Sequence, residues 1–367
     1  MLLSEDQRML MESARGAIAA NAPLSTFRKL RADAAGDGFS RAFWRQCAEM
    51  GWSGVLVPEE FGGIDFGVVG AGLIAREMAR TLAPSPFLST AVIAASALRS
   101  GGSAGQRNTW LPRIAKGETI IGAAIETSAR GAAAGLKAER AGAGWRLDGV
   151  KHQALDGHVA DALLIAAEIE NGETALFLAP ADAKGLKRDA RTLVDGRRVA
   201  SLRFEGVALE ADAALGGGAA TRESTLDIAR AVAAAALCGV AEEAFARTLS
   251  YLKERKQFER RIGSFQALQH RAARTHIDIE NSWSATLKAL QSLACSANSA
   301  ALDVAVAKAK TSDAACAATA ECLQMHGGIG MTDEFDIGLF LKRARVDAVL
   351  FGDVAFHADR VATMLGY

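Results

Sequence analysis

The stretch that decides the fold runs Arg255-Lys-Gln-Phe258 and, two residues on, Arg261-Ile-Gly-Ser-Phe-Gln-Ala-Leu-Gln-His270. An Ala- and Leu-rich helical segment at about 220–255 precedes it, and another at 264–297 follows. A helix therefore ends in a basic, polar turn, and Gly263-Ser264 opens the next helix. An arginine together with helix N-terminal amides can hold a phosphate or pyrophosphate. Two further helical segments, at 300–326 and 333–364, flank Gln324-Met-His-Gly-Gly-Ile-Gly330. Glycines there permit close backbone approach or positive φ. Taken singly, the first motif also reads as a solvated charged turn and the second as a glycine C-cap. Four long helices joined by short Gly-containing turns predict a C-terminal four-helix bundle over 219–367.

Working back towards the N-terminus, Gly216-Gly217-Gly218 reads as a linker. Ahead of it lie short apolar runs: Thr119–Ile125, Trp145–Leu147, Ala162–Ala166, Thr174–Leu178 and Val199–Phe204. Asp148-Gly149 and Asn171-Gly172, the strongest hairpin dipeptides, sit between such runs. This pattern predicts an antiparallel β-barrel or sandwich over 118–215, without the βαβ rhythm of a nucleotide-binding α/β domain. Residues 1–117 read as a helical domain. Ser4 with Gln7 forms a capping-box pattern, and Ser40 to Gly51 brackets a helix with Phe43, Trp44, Cys47 and Met50 on one stripe. Val57-Pro-Glu-Glu-Phe-Gly-Gly63 is a loop, and helical stretches follow at about 68–82, 88–100 and 111–116. The class is mainly α with a central β domain.

Composition excludes several functions. The 367 residues carry 42 Lys+Arg and 42 Asp+Glu, so the formal net charge is zero. No whole-protein field attracts nucleic acid or an anionic membrane. Hydrophobic residues make up 50%, enough for a large core and against wholesale disorder. Five cysteines form no C-x-x-C pair, which argues against a disulfide framework or zinc ribbon. The N-terminus lacks the basic-then-apolar order of a signal peptide, and Ala231–Val240 is too short to span a bilayer, so a soluble cytoplasmic protein is expected. His270 and His276 are six apart on different helix faces, and no metal site is expected. Gly67-x-x-Gly70-x-Gly72 has the wrong spacing for a dinucleotide fingerprint and reads as helix packing.

In combination, the two C-terminal motifs resemble the signatures of the acyl-CoA dehydrogenase flavoprotein family. The resemblance spans the chain: Val57–Gly63, Leu111–Glu118, Trp145 with Asp148-Gly149 and the glycine linker fall where that family has them. It implies α,β-dehydrogenation of an acyl-CoA thioester, with FAD taking the β-hydride and a carboxylate the α-proton. It also implies an electron-acceptor flavoprotein as redox partner. By the same resemblance, Arg255, Gln257, Phe258, Phe265 and Gln266 contact the FAD of a neighbouring subunit. Gln324, Gly327 and Gly328 belong to that clamp. Asp227 and Arg230 line the acyl-CoA pocket, and a dimer at least follows, homo-oligomeric or heteromeric.

The departures are as informative. The family's usual Y-E-G-T stretch is Leu350-Phe351-Gly352-Asp353, so Phe351 stands where the base belongs. The alternative base position, one residue before the matched arginine, is Ala229. Asp353 is a carboxylate nearby but aligns with a threonine that touches FAD. The family's T-E-P-x-x-G-S-D loop is Ile125-Glu126-Thr127-Ser128-Ala129-Arg130, and its Trp-Ile-Thr is Gln153-Ala154-Leu155. The Leu155 amide remains to meet flavin N5 without the hydroxyl. This chain thus resembles the smaller, non-catalytic subunits of heteromeric dehydrogenases. A homo-oligomer with another base, and a non-redox scaffold of the same fold, are the other readings.

Overall fold

The structure, a computed structural model, describes residues 2–33, 35–126 and 135–367, except the side chain of Asn171. The chain opens with helices α1 (Glu5–Asn21), α2 (Leu24–Ala32), α3 (Arg41–Glu49) and α4 (Gly67–Arg80). A π-helix (Phe87–Ala94) runs into α5 (Ala95–Gly101), and α6 (Ala104–Ala115) follows. The Ser4–Gln7 capping box starts α1, and Ser40 caps α3 as its side chain accepts from the Phe43 amide. The stretch expected at 111–116 begins earlier: a second capping box, Ser103 with Gln106, starts α6, and Pro112 sits inside it.

Seven strands form one sheet: β1 (Ile121–Ala124), β2 (Leu136–Ala141), β3 (Gly144–Leu155), β4 (Ala162–Glu168), β5 (Thr174–Pro180), β6 (Leu186–Thr192) and β7 (Arg198–Leu209). Pairing runs β6–β7–β3–β2–β4–β5, and β1 joins both β4 and β3, closing a barrel-like circuit. The sheet is not purely antiparallel, because β1 and β2 each run parallel to β4. Asp148-Gly149 is not a hairpin turn. It lies within β3 at a register shift, with Gly149 at φ 134°, where a Cβ would lie 1.9 Å from the Gly135 carbonyl oxygen. Leu147, Leu163, Ile165, Phe177 and Leu202 fill the interior, and Trp145 meets Phe177 edge-on at 5.1 Å.

The C-terminal part comprises α7 (Gly218–Glu254), a ribbon of β8 (Lys256–Gln257) and β9 (Arg260–Arg261), α8 (Gln266–Ala294), α9 (Ala300–His326), α10 (Ile337–Val349) and α11 (Val354–Met364). The expected fourth helix is two helices. Phe351 (φ 61°) and Gly352 (φ 108°) are both left-handed and break it. α7 is long and apolar enough to cross a bilayer, but 83% of its most apolar stretch is buried inside the protein.

By contacts the chain groups into two compact units, Met1–Ser25 with Gly72–Ala83 and Arg230–Tyr367, and Thr26–Ala71 with Pro84–Ala229. Within the first, an ion chain joins α1, α4, α7 and the start of α10. Arg15 meets Glu77 at 2.9 Å, Arg80 meets Glu242 at 3.1 Å and Glu243 at 3.0 Å, and Arg247 bridges Glu243 (3.0 Å) to Asp336 (2.9 Å). The Glu77 side chain has no solvent exposure, so its charge depends on these partners. Two glycines let helices close in: a Cβ on Gly72 would lie 2.5 Å from Leu290 Cδ1, and one on Gly239 would lie 2.0 Å from the Arg76 carbonyl oxygen. Of the Gly67–Gly72 pattern, Gly72 serves helix packing, whereas nothing lies within 4 Å of a Cβ on Gly67.

All five thiols are free. Burial pushes Cys47, Cys238 and Cys322 up to about 12, while Cys295 is exposed. Reactivity follows the thiolate. A thiol reagent followed by peptide mass spectrometry is therefore expected to modify Cys295 in the native protein. Cys47, Cys238 and Cys322 are expected to react only after denaturation.

Candidate functional site

The basic turn after α7 is a small β-ribbon. Lys256 pairs with Arg261 and Gln257 with Arg260. Its tip, Phe258-Glu259, takes two successive left-handed residues (φ 52° and 62°), the backbone of a tight hairpin turn normally given to Asn or Gly. Phe258 is 84% exposed and meets Phe265 edge-on at 6.1 Å, and the Arg260 guanidinium lies 4.0 Å over the Phe265 ring. Arg255, Gln257 and Gln266 all face solvent. The ribbon thus presents exposed cations and an exposed ring on a fixed stem.

The glycine stretch closes α9 on the same unit. Gly327 has φ 65°, and nothing lies within 4 Å of a Cβ built on Gly327 or Gly328. Their backbone is open to a ligand from outside, with Gln324 exposed beside them. Gly330 is different, since its Cβ would meet Leu323 O and His326 Cβ at 3.0 Å. The link between the two motifs is Tyr251, which sequence reasoning missed. From the end of α7 it stacks on His326 at 4.5 Å and donates to the His326 carbonyl at 3.4 Å. Phe335 packs on both rings. A tyrosine one turn before R-x-Q-F was the available signal.

The Leu350–Asp353 turn is held from three helices. Arg230 Nε donates to the Phe351 carbonyl at 3.2 Å, and His357 Nε2 donates to the same oxygen at 3.1 Å. Lys308, fully buried on α9, donates to the carbonyls of Asp347 (3.2 Å), Ala348 (3.1 Å) and Gly352 (3.2 Å) and to Ser312 Oγ (3.0 Å). Phe351 itself is buried. Asp353 Oδ1 accepts the Phe356 amide at 2.8 Å, so its carboxylate caps α11. Ala229 and Asp227 are buried on α7.

In the other unit, Leu155 ends β3, between Ala123 of β1 and Val199 of β7. The exit of β1 is fixed by two cations. Arg222 Nε donates to the Ile125 carbonyl at 3.1 Å, and Lys151 Nζ to that of Glu126 at 3.0 Å. Burial, then the nearby Arg222, pushes the Lys151 ammonium down to about 7. Thr127–Arg130 lie outside the described residues. From the π-helix, Ser89 and Thr90 reach the Asp156 carboxyl and the Ile121 backbone. Among the described residues no group of His, Cys, Asp or Glu could hold a metal ion.

The fit to a flavin dinucleotide is uneven. Exposed Arg255 and the unobstructed Gly327-Gly328 backbone suit a diphosphate. Gln153–Leu155 offers an amide but no hydroxyl, and neither Phe351 nor Ala229 can take a proton.

His357 makes the turn pH-sensitive. Burial first, then Lys308 and Arg230, lowers its pKa to about 3. The folded state therefore favours neutral His357, and its contribution is lost as pH falls from about 6.5 towards 3. His357→Asn is expected to flatten the fall of the urea midpoint across that window, measured at a series of pH values.

Known proteins share this arrangement. The model for the acyl-CoA dehydrogenase N-terminal domain matches residues 4–118, and that for the C-terminal domain matches 216–366. The acyl-CoA dehydrogenase IpdE2 of Mycolicibacterium smegmatis is 30% identical over 356 residues, covering 95% of this chain and 96% of its own. Among solved structures, a variant of the Tcur3481–Tcur3483 steroid ACAD is 30% identical with a TM-score of 0.90, covering 98% of both chains. The ChsE4–ChsE5 complex from Mycobacterium tuberculosis is 26% identical with a TM-score of 0.92, covering 99% of this chain and 98% of that one. With helices, sheet and helices in the same order over its whole length, this chain belongs to the acyl-CoA dehydrogenase family of oxidoreductases.

Proposed function

We propose that this chain is the base-lacking subunit of a heteromeric FAD-dependent acyl-CoA dehydrogenase. The observation that carries the reading is the Leu350–Asp353 turn. It is pinned by Arg230, Lys308 and His357, yet it holds Phe351 where a carboxylate is needed, while Asp353 is engaged as a helix cap. The likeness to chains solved as the ChsE4–ChsE5 complex and as Tcur3481–Tcur3483 supports a two-protein assembly.

The chemistry FAD supplies when bound is acceptance of the β-hydride of an acyl-CoA thioester. This chain's part is binding and orientation. Arg255 would give a charge-assisted hydrogen bond to a bound diphosphate, and Gln257, Gln266 and Gln324 would add amide contacts. Phe258 and Phe265 offer ring faces, and Gly327 and Gly328 let backbone amides approach. These groups serve the FAD of the partner subunit, which also brings the carboxylate that takes the α-proton. Asp227 and Arg230 would line an acyl-CoA pocket, and the Leu155 amide would stand at a flavin edge. A separate flavoprotein reoxidises the complex, and the cytoplasm is its compartment.

The test is expression alone and with a homologous dehydrogenase chain that carries the family glutamate, assayed with a panel of acyl-CoAs. The isolated chain is expected to be at least about 10²-fold slower than the complex, the scale of a positioned proton transfer. Equal turnover by the isolated chain would overturn the reading. In the complex, Arg255→Ala is expected to weaken FAD roughly ten- to hundredfold, the equivalent of about 1.5–3 kcal/mol for a hydrogen bond to a charged group. Flavin content after gel filtration reads this, and the melting temperature of the flavin-free chain should not move.

A further inference from the structure

Immediately after Leu155 the chain makes an unfavourable turn. Asp156 is left-handed at φ 52°, a region that L side chains rarely adopt. Gly157 donates to the Ala154 carbonyl at 3.2 Å, and Val159 to the Asp156 carbonyl at 3.2 Å. A Cβ on Gly157 would lie 2.9 Å from Ala154 Cβ, so the turn has no room to relax on that side. Among the described residues, only Ser89 hydrogen-bonds the Asp156 carboxyl, donating to Oδ2 at 2.6 Å from the π-helix.

Behind this turn is a cavity of about 60 Å³ whose lining includes Leu155, Asp156, His158 and Arg197. That is room for a few waters. His158 Nε2 lies 2.8 Å from the Asp37 carbonyl oxygen, which can only accept, so Nε2 carries the hydrogen. Nδ1 is buried with no partner, and with the hydrogen on Nε2 it is free to accept one. The other charged groups on the cavity are already engaged. Asp37 pairs with Arg41 at 2.5 Å, Arg197 pairs with Asp195 at 2.6 Å, and Arg198 donates to the Asp33 and Gly36 carbonyls.

We propose that Asp156 is a positioning residue for the Leu155 amide. Protonated, it donates through cavity water to His158 Nδ1 and locks the β3 exit turn; ionised, it loses that donation and the turn loosens. The proposal rests on the reading of Leu155 as a flavin contact. Burial raises the Asp156 carboxyl above the usual carboxylate range, and the Ser89 hydrogen bond and the Arg197 charge oppose it. With the folded-state value raised, stability from this group is complete below about pH 4 and is lost as pH rises through the folded-state value.

Thermal unfolding of the flavin-free chain between pH 4 and 9 tests the device itself. Relative to wild type, Asp156→Asn should give a flatter profile and melt higher at the alkaline end by roughly 2–4 °C. Superimposable profiles would overturn the proposal. Should Asp156→Asn not fold, Ser89→Ala serves instead. It removes the donor to the ionised carboxylate, so the alkaline loss should steepen, and an unchanged profile counts against the proposal. In the FAD-loaded complex, the visible flavin spectrum should shift with pH over the same window in wild type and not in Asp156→Asn. A pH-dependent stability with a pH-independent spectrum would show that Asp156 titrates without positioning the amide, which also overturns the proposal. A complex that never retains FAD counts against the dehydrogenase reading, and the flavin-free profiles still decide whether Asp156 is the switch.

Discussion

A lysine with no solvent exposure must find acceptors for its ammonium group, and Lys308 finds three of its four at one place. Two of its carbonyl acceptors, from Asp347 and Ala348, end α10, and the third, from Gly352, belongs to the turn beyond. A cation at a helix C-terminus is favourable in itself, and here it also offsets the cost of burial. Once α10 and the turn are fixed, Phe351 and Gly352 must be left-handed for the chain to continue into α11. Only glycine suits the second position, because a Cβ there would lie 2.4 Å from Phe356 Cδ1. Arg230 and His357 complete the constraint from α7 and α11. The protein thus holds the Leu350–Asp353 turn from three helices at once.

The ribbon and most of the Gly327–Met331 turn are exposed and tied together through Tyr251 and His326. The β1 and β3 exits are framed by Lys151, Arg222, Ser89 and Thr90, which hold backbone and turn.

Much of this was legible in the sequence because the signals were local. Ser4–Gln7 and Ser40 are capping patterns that name a helix start, and the apolar runs at 162–166 and 174–178 form the buried strands β4 and β5. β6 was not legible, since Leu186–Thr192 is exposed along almost its whole length and carries no apolar alternation. β2 hid for a related reason, with its outer half exposed. Asp148-Gly149 misled because a glycine in a strand and a glycine in a hairpin look alike until the partner strand is known. The break in the last helix was hidden too: Leu350-Phe351 continues the apolar pattern, and the cause of the break is long-range, from Lys308 and Arg230. In the candidate site, the clamp residues were visible as motifs. Tyr251, Lys308, His357 and Asp156 were not, because their roles depend on contacts distant in sequence.

The two compact units interleave along the chain, and this imposes an order on its birth. Residues 26–71 and 84–229 complete one unit while the bundle is still being synthesised. α1 and the 72–83 half of α4 belong to the other, whose remaining residues begin at Arg230. Arg76 and Arg80 of α4 therefore remain without Glu242 and Glu243 until α7 emerges, more than 150 residues later. Closing so long a loop costs chain entropy that only the finished bundle repays.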